Sequence, residues 1–429
     1  MLNRTEQPLF RPLTDIHIPE PSLVRLNDGM SLYVLHNSEQ GVIRIDFMIR
    51  GGVWQQAQPL LALFTVRMLR EGTKHLSSLD IATKLDFYGA WLEQTCMSDY
   101  VVLTLYTLSK YLGQTLPIVV SMLREATFPE EEFRVCIENN IQHFRVSQSK
   151  VRNVAHRHFM NLLFGDNHPS GHLLVENDYR NLTTEKLRQH YEKYYQAGHT
   201  VMYVSGCVRA EVISQISEIV KDYTDTSTLQ EQLSEVKPQR QLSPEKRHFQ
   251  ELSGSVQCGI GMGMLTIPPT HPDYTSLRFV TTLLGGYYGS RLMSNIREEK
   301  GYTYGISASV LPYADCSVLA ITTETANAHV EPLIGEVYRE IERLKAEPVS
   351  AEELQMVKNY LIADVCRSYE SVLSMTDAWI YVHTNRLSNK YYETLAQEIM
   401  RLTPEDIKNI SRKYLDVSLF RESVAGTLG

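Results

Sequence analysis

Arg297 and Tyr304 stand seven residues apart in GGYYGSRLMSNIREEKGYTYGISAS, residues 285–309. A guanidinium and a phenol can each donate a hydrogen bond to a peptide carbonyl, or to the oxyanion that forms when water attacks one. Gly301 and Gly305 would let the backbone turn sharply or pass close to a ligand there. The spacing alone is a weak signal. The arginine fits a surface ion-pair cluster with the charged residues after it, and the tyrosine fits a buried strand, equally well. The run GGYYGS has the composition of a phosphate loop, but it lacks the Walker lysine. No Ser/His/Asp or Cys/His constellation has supporting context.

A second stretch, LLALFTVRMLREGTKH (60–75), reads as a buried apolar helix running into Met68-Leu69-Arg70-Glu71-Gly72-Thr73. Helices of this outline can carry an inverted zinc motif, HxxEH. In that motif two histidines at i and i+4 converge on the metal, and the glutamate beside the second acts as general base. This helix has no histidine and no carboxylate before Glu71. Histidines elsewhere do not replace them. His156 and His158 are two apart and diverge on a helix, while Pro169 and Gly171 between His168 and His172 indicate a loop.

Taken together, the apolar helix before MLREGT and the pattern GGxxGSRL…REEKGYxYG resemble the insulinase-like (M16, pitrilysin-type) zinc metallopeptidases. The resemblance runs along nearly the whole chain. It includes the strand leading to Gly51-Gly52, NHPSGH at 167–172, the YxxYY step from Tyr191, and Val204-Ser205-Gly206. It implies that the HxxEH positions are Leu63, Val66 and Arg67, two aliphatic residues and a permanent cation. The third ligand position falls on Asn140, with Glu138 nearby. No metal is therefore expected in this chain. The resemblance also implies that Arg297 and Tyr304 reach from the C-terminal half into a zinc site. Some members of the family divide this labour between two chains. The expectation is a non-catalytic, substrate-binding subunit, inactive alone, that pairs with a homologous HxxEH-bearing subunit holding the zinc. Substrates would be unfolded peptides. The alternatives are a structural scaffold, like the core subunits of respiratory cytochrome bc complexes, and a stand-alone peptide-binding protein.

The elements that position these residues come in two copies. Tyr88-Gly89 precedes Asp99 and YVVLTLYTL as Tyr304-Gly305 precedes Asp315 and CSVLAITTE. LTTEKLRQHYEKYY, from Leu182, matches LTPEDIKNISRKYL, from Leu402, and Val204-Ser205-Gly206 matches Val424-Ala425-Gly426. Each half mixes alternating and helical periods. GVIRIDFMI reads as a half-buried strand with Ile43, Ile45, Phe47 and Ile49 inward and Arg44 and Asp46 outward. The glycines of CGIGMGML (Gly259, Gly261, Gly263) share one strand face and admit close approach of a helix. PEEEFRVCIENNIQHF and HVEPLIGEVYREIERLKAE read as helices. The expected fold is α+β: two homologous domains from an internal duplication, each a mostly antiparallel sheet packed with helices, of the M16/LuxS-like metallohydrolase type. The expected boundaries are 1–225, a polar linker at 226–248, and 249–429.

At 429 residues, 43% hydrophobic and 21% charged, the chain can bury two cores. A formal net charge of −8 argues against a nucleic-acid binder and gives no basic footprint for a membrane surface. No apolar run approaches a spanning helix, and the start MLNRTEQPLFRPLTDIH has no h-region. Six scattered cysteines without a CxxC pair read as free thiols, so a cytoplasmic location is expected.

Overall fold

The computed structural model describes residues 18–26, 30–37, 41–224 and 237–427. The amino-terminal stretch quoted above and residues 226–236 of the linker lie outside the described residues.

In the first half the strands are β1 (Ser22–Arg25), β2 (Ser31–His36), β3 (Val42–Arg50), β4 (Trp91–Cys96), β5 (Tyr100–Leu108) and β6 (Thr200–Gly206). Its helices are α1 (Leu61–Met68), α2 (Ser78–Phe87), α3 (Leu112–Glu125), α4 (Glu130–Gln148), α5 (Val151–Phe164), α6 (Glu176–Arg180), α7 (Thr184–Tyr194) and α8 (Ala210–Thr224). The second half has β7 (Arg247–Glu251), β8 (Gln257–Thr266), β9 (Ile306–Pro312), β10 (Ser317–Ala326) and β11 (Arg421–Gly426). Its helices are α9 (Tyr274–Thr281), α10 (Val330–Ala346), α11 (Ala351–Arg367), α12 (Val372–Thr384), α13 (Tyr391–Arg401) and α14 (Pro404–Tyr414). Local chemistry sets many of these starts. Three glutamates open α4 against the helix dipole. Ser77 with Asp80 caps α2, and Thr403 with Asp406 caps α14.

The first sheet runs β1-β2-β6-β3-β5-β4 and the second β7-β11-β8-β10-β9. Without β1 the two orders are the same, and the single parallel pair, β2 with β6 or β7 with β11, sits at the same place. The repeated residues fall on equivalent elements. Tyr88-Gly89 and Tyr304-Gly305 lead into β4 and β9, and Asp99 and Asp315 lie in the following turns. Lys193-Tyr194 and Lys413-Tyr414 close α7 and α14.

The halves exchange a helix. One face of the first sheet packs on its own helices through Ile43, Ile45, Phe47 and Ile49. The other face is covered by α12 from the second half, where Val372, Trp379, Ile380 and Val382 bury against Leu35, Met48, Val102 and Tyr203. Reciprocally, α5 of the first half lies on the second sheet, with Phe159, Met160 and Leu163 against Cys316, Val318 and Ala320. Each fully buried side chain of this size contributes about 1.5–3 kcal/mol, so the exchange is a major tie between halves. It also corrects the expectation for β3. Both its faces are buried: Arg44 is 5% and Asp46 0% exposed. Arg44 is held by Asp46 at 2.9 Å, by Asp377 of α12 at 2.7 Å and by the Leu373 carbonyl at 3.1 Å.

The glycine face of β8 admits a helix, and that helix is α5. A Cβ on Gly259 would stand 2.5 Å from the Val151 carbonyl, and one on Gly261 3.1 Å from Phe159 Cβ. The linker is shorter than expected from the sequence, because Arg247 and His248 already belong to β7. Before it, Gln241 and Ser243 donate backbone N–H bonds of 2.9 and 2.8 Å to the end of α5.

Candidate functional site

Within α1, only Leu63 and Arg67 are partly open to solvent; the other side chains are buried. These two sit one turn apart, on the face where a pair of histidines would converge on a metal. Val66 is fully buried, and its carbonyl accepts the side-chain amide of Gln94 on β4. Arg67 Nη1 donates to Asn140 Oδ1 on α4, so two of the positions read from the sequence as emptied zinc ligands do meet. Asn140 in turn donates to the Cys136 carbonyl at 2.8 Å. The charge of Arg67 faces Cys96 and Cys136, whose thiols burial raises, Cys96 to about 12. Two aliphatic side chains, a guanidinium and an amide do not fit zinc. Among the described residues no group of three or more His, Cys, Asp or Glu could hold a metal ion. α1 begins with Leu60 in the left-handed region (φ +71°), a conformation costly for a leucine.

Arg297 lies on a π-helical turn, Met293–Glu299, a wide turn that is often found at functional sites. The turn is anchored beneath. Asn295 donates to Glu340 at 2.6 Å, and Lys300 pairs with Glu336 at 2.9 Å. An earlier π turn, Thr282–Gly286, approaches β9 so closely that a Cβ on Gly285 would meet Ala308 at 2.7 Å. The Arg297 guanidinium stands 4.8 Å from the Tyr288 ring centre and 5.4 Å from that of Tyr304. Neither bland alternative describes them. Tyr304 precedes β9 and is 90% exposed, and no ion pair of Arg297 is found among the described residues.

The loop under Tyr304 is pinned on both sides. Tyr302 N donates to the Ile296 carbonyl at 3.0 Å. The Thr303 hydroxyl lies 2.7 Å from the Glu324 carbonyl and accepts the Gly305 N–H at 3.1 Å. Gly301 takes φ +66°, the conformation for which glycine is suited, whereas Gly305 does not. The phenol is thus an exposed group on an ordered base. Tyr288 was not singled out from the sequence. Its signal is its place in GGYYGS, and only the fold brings it over Arg297.

No hydrogen bond, ion pair or ring contact joins the Arg67 face to the Arg297–Tyr304 pair among the described residues. A cavity of about 640 Å³ lies elsewhere, between the outer face of β4 and β5, α12 and the β9–β10 turn. Glu93, Asp99, Tyr100, Tyr313 and Asp377 line it, and none of the candidate site residues Leu63, Val66, Arg67, Asn140, Arg297 and Tyr304 does. Histidines weighed from the sequence have partners within the fold. His158 stacks on His248 with ring centres 4.3 Å apart, and His172 Nε2 lies 3.0 Å from Asp178. No helix among the described residues is long and apolar enough to cross a membrane.

The fold defines a class: an α+β protein of two similar halves, each a sheet packed with helices, with an M16-like architecture. The crystal structure of the peptidase M16 inactive domain from Pseudomonas fluorescens superposes with a TM-score of 0.84 at 22% identity, covering 95% of this chain and 98% of that one. Residues 181–361, which include Arg297 and Tyr304, match the family model described as Peptidase M16 inactive domain. An uncharacterized zinc protease of Streptomyces coelicolor is 22% identical over 364 residues, 81% of this chain and 76% of the relative. The mitochondrial-processing peptidase subunit alpha-1 of Dictyostelium discoideum is 25% identical over 194 residues, 44% of this chain and 30% of that subunit.

Proposed function

We propose that this chain is the non-catalytic, substrate-binding subunit of a heterodimeric M16-type zinc metallopeptidase. Its partner is a homologous HxxEH-bearing subunit that holds the zinc, and the pair cleaves unfolded peptides in the cytoplasm. One observation carries the reading. The zinc face of this chain is filled by Leu63, Val66, Arg67 and Asn140, while Arg297 and Tyr304 stand together, with Tyr304 exposed on a pinned loop. Both side chains donate hydrogen bonds, and donors held at the position of a developing oxyanion stabilise it without reorganising. Among the described residues no hydrogen bond uses the Tyr304 hydroxyl, which leaves it available to a ligand. The similarity to a subunit of a mitochondrial-processing peptidase supports pairing between unlike chains.

Affinity purification of the tagged chain from its native host tests this. A homologous HxxEH chain is expected in stoichiometric amount, with about one zinc per pair. Recovery of the chain only as a monomer, or of one zinc per isolated chain, contradicts the reading.

A further inference from the structure

We propose that Arg67 is a carboxylate-binding site, taking the carboxylate of an extended peptide laid along β4. The inference goes beyond the subunit role, because it requires neither a partner nor zinc.

Arg67 is a sheltered cation without a counter-ion. Its guanidinium has five N–H donors, and Nη1 is used on the neutral Asn140. Among the described residues no carboxylate oxygen lies within 4.0 Å of it. Three other sheltered arginines hold one: Arg44 has Asp377 at 2.7 Å, and Arg278 and Arg291 have Asp364 and Glu353 at 2.8 Å, whereas the buried Arg421 spends its donors on the Ser243, Leu419 and Phe420 carbonyls. The groups that feel the charge of Arg67 are Cys96, Cys136 and Tyr179, all kept neutral by burial. Phe64 lies under the guanidinium, 5.9 Å away. An unpaired charge in such surroundings favours an anionic partner.

The approach to it is an open sheet edge. β4 ends the first sheet and pairs only with β5, which leaves one row of its backbone groups free to bond an added strand. Gln94 and Cys96 on β4 face α1, as the Gln94–Val66 bond and the Arg67–Cys96 interaction show. A peptide strand beside β4 therefore passes in front of Arg67. A guanidinium offers two parallel N–H bonds to a carboxylate and cannot activate water as a metal does. The zinc face has become a holding site for an anionic group, either the C-terminal carboxylate of the peptide or an acidic side chain within it.

The test uses fluorescence anisotropy on the purified chain alone, with three labelled peptides of one unstructured sequence. One has a free C-terminal carboxylate, one a C-terminal amide, and one the amide with an internal aspartate. A carboxylate-bearing peptide is expected to bind about tenfold or more tighter than the neutral amide, as charged hydrogen bonds allow. Which acidic peptide gains tells the two sources apart. Arg67→Met is expected to abolish the preference. Asn140→Asp places a carboxylate against the guanidinium and should abolish it too with the cation retained, and it decides the matter if Arg67→Met does not fold. Arg134→Ala, which removes an exposed arginine of α4 paired with Glu131, should leave the preference intact, and because the readout uses neither zinc nor the trans pair, this site and that pair fail or stand separately. Equal binding of all three peptides to the wild type, no binding of any, or a preference that survives in both variants overturns the proposal.

Discussion

The guanidinium of Arg297 stands 5.4 Å from the ring centre of Tyr304 and 4.8 Å from that of Tyr288, which lies within the Gly-rich run. The arginine is thus steered by two aromatic faces and by no carboxylate among the described residues, which leaves its N–H donors available to a ligand.

Tyr288 therefore acts on Arg297 by positioning it. Cation–π contacts at exposed sites contribute about 0.5–1 kcal/mol, so Tyr288→Ala should lower turnover of the assembled pair about two- to fivefold. Thermal stability should hardly change, because Tyr288 is 65% exposed. Steady-state kinetics beside a melting curve checks this, and an unchanged turnover would show that Arg297 needs no such guide.

The helix exchange makes the glycine face of β8 a requirement. In Gly259→Ala the new methyl would press on the Val151 carbonyl of α5, which is backbone and yields little. A loss of about 1–3 kcal/mol is expected from overpacking. Gly305→Ala is the control, since a Cβ there meets nothing within 4 Å, and it should stay within about 0.5 kcal/mol. Urea unfolding of both variants makes the comparison.

His190 on α7 is 4% exposed, with Nε2 3.0 Å from the Gly51 carbonyl, and burial lowers its pKa to about 4. An unfolded histidine titrates near about 6.5. The folded value is the lower one, so the unfolded chain binds the extra proton between these values. Stability is then full above the unfolded pKa and falls as pH drops towards the folded one. His190→Gln keeps a donor towards Gly51 but does not titrate. Between pH 7 and 5 its stability should fall by about 2 kcal/mol less than that of the wild type. Denaturant midpoints across that range read the difference, and parallel curves would refute it.

The sequence made the repeat legible because duplicated residues mark duplicated elements, as with Tyr88 and Tyr304 before their edge strands. The Arg67–Asn140 meeting was readable only through a resemblance, since an arginine and an asparagine 73 residues apart carry no spacing rule. The helix exchange was half visible. Gly259 and Gly261 announced a close helix, but periodicity does not say which half supplies it. Arg44 and Asp46 looked solvent-facing because alternation reports two faces and not what covers the second. The stacking of Tyr288 on Arg297 depends on a π turn, which has no periodic signature.

The central claim is that Arg297 and Tyr304 serve a zinc site on another chain. Its most direct test is turnover of a quenched-fluorescence peptide by the reconstituted pair, at matched zinc content, for wild type, Tyr304→Phe and Arg297→Ala. Tyr304→Phe removes one hydroxyl from an exposed ring, so assembly and zinc should be unchanged. The rate should nevertheless fall by about 10²–10³, the typical cost of losing an oxyanion donor. Arg297→Ala should also raise KM. Cleavage by both variants within about twofold of wild type, set against that expected loss, would contradict the account.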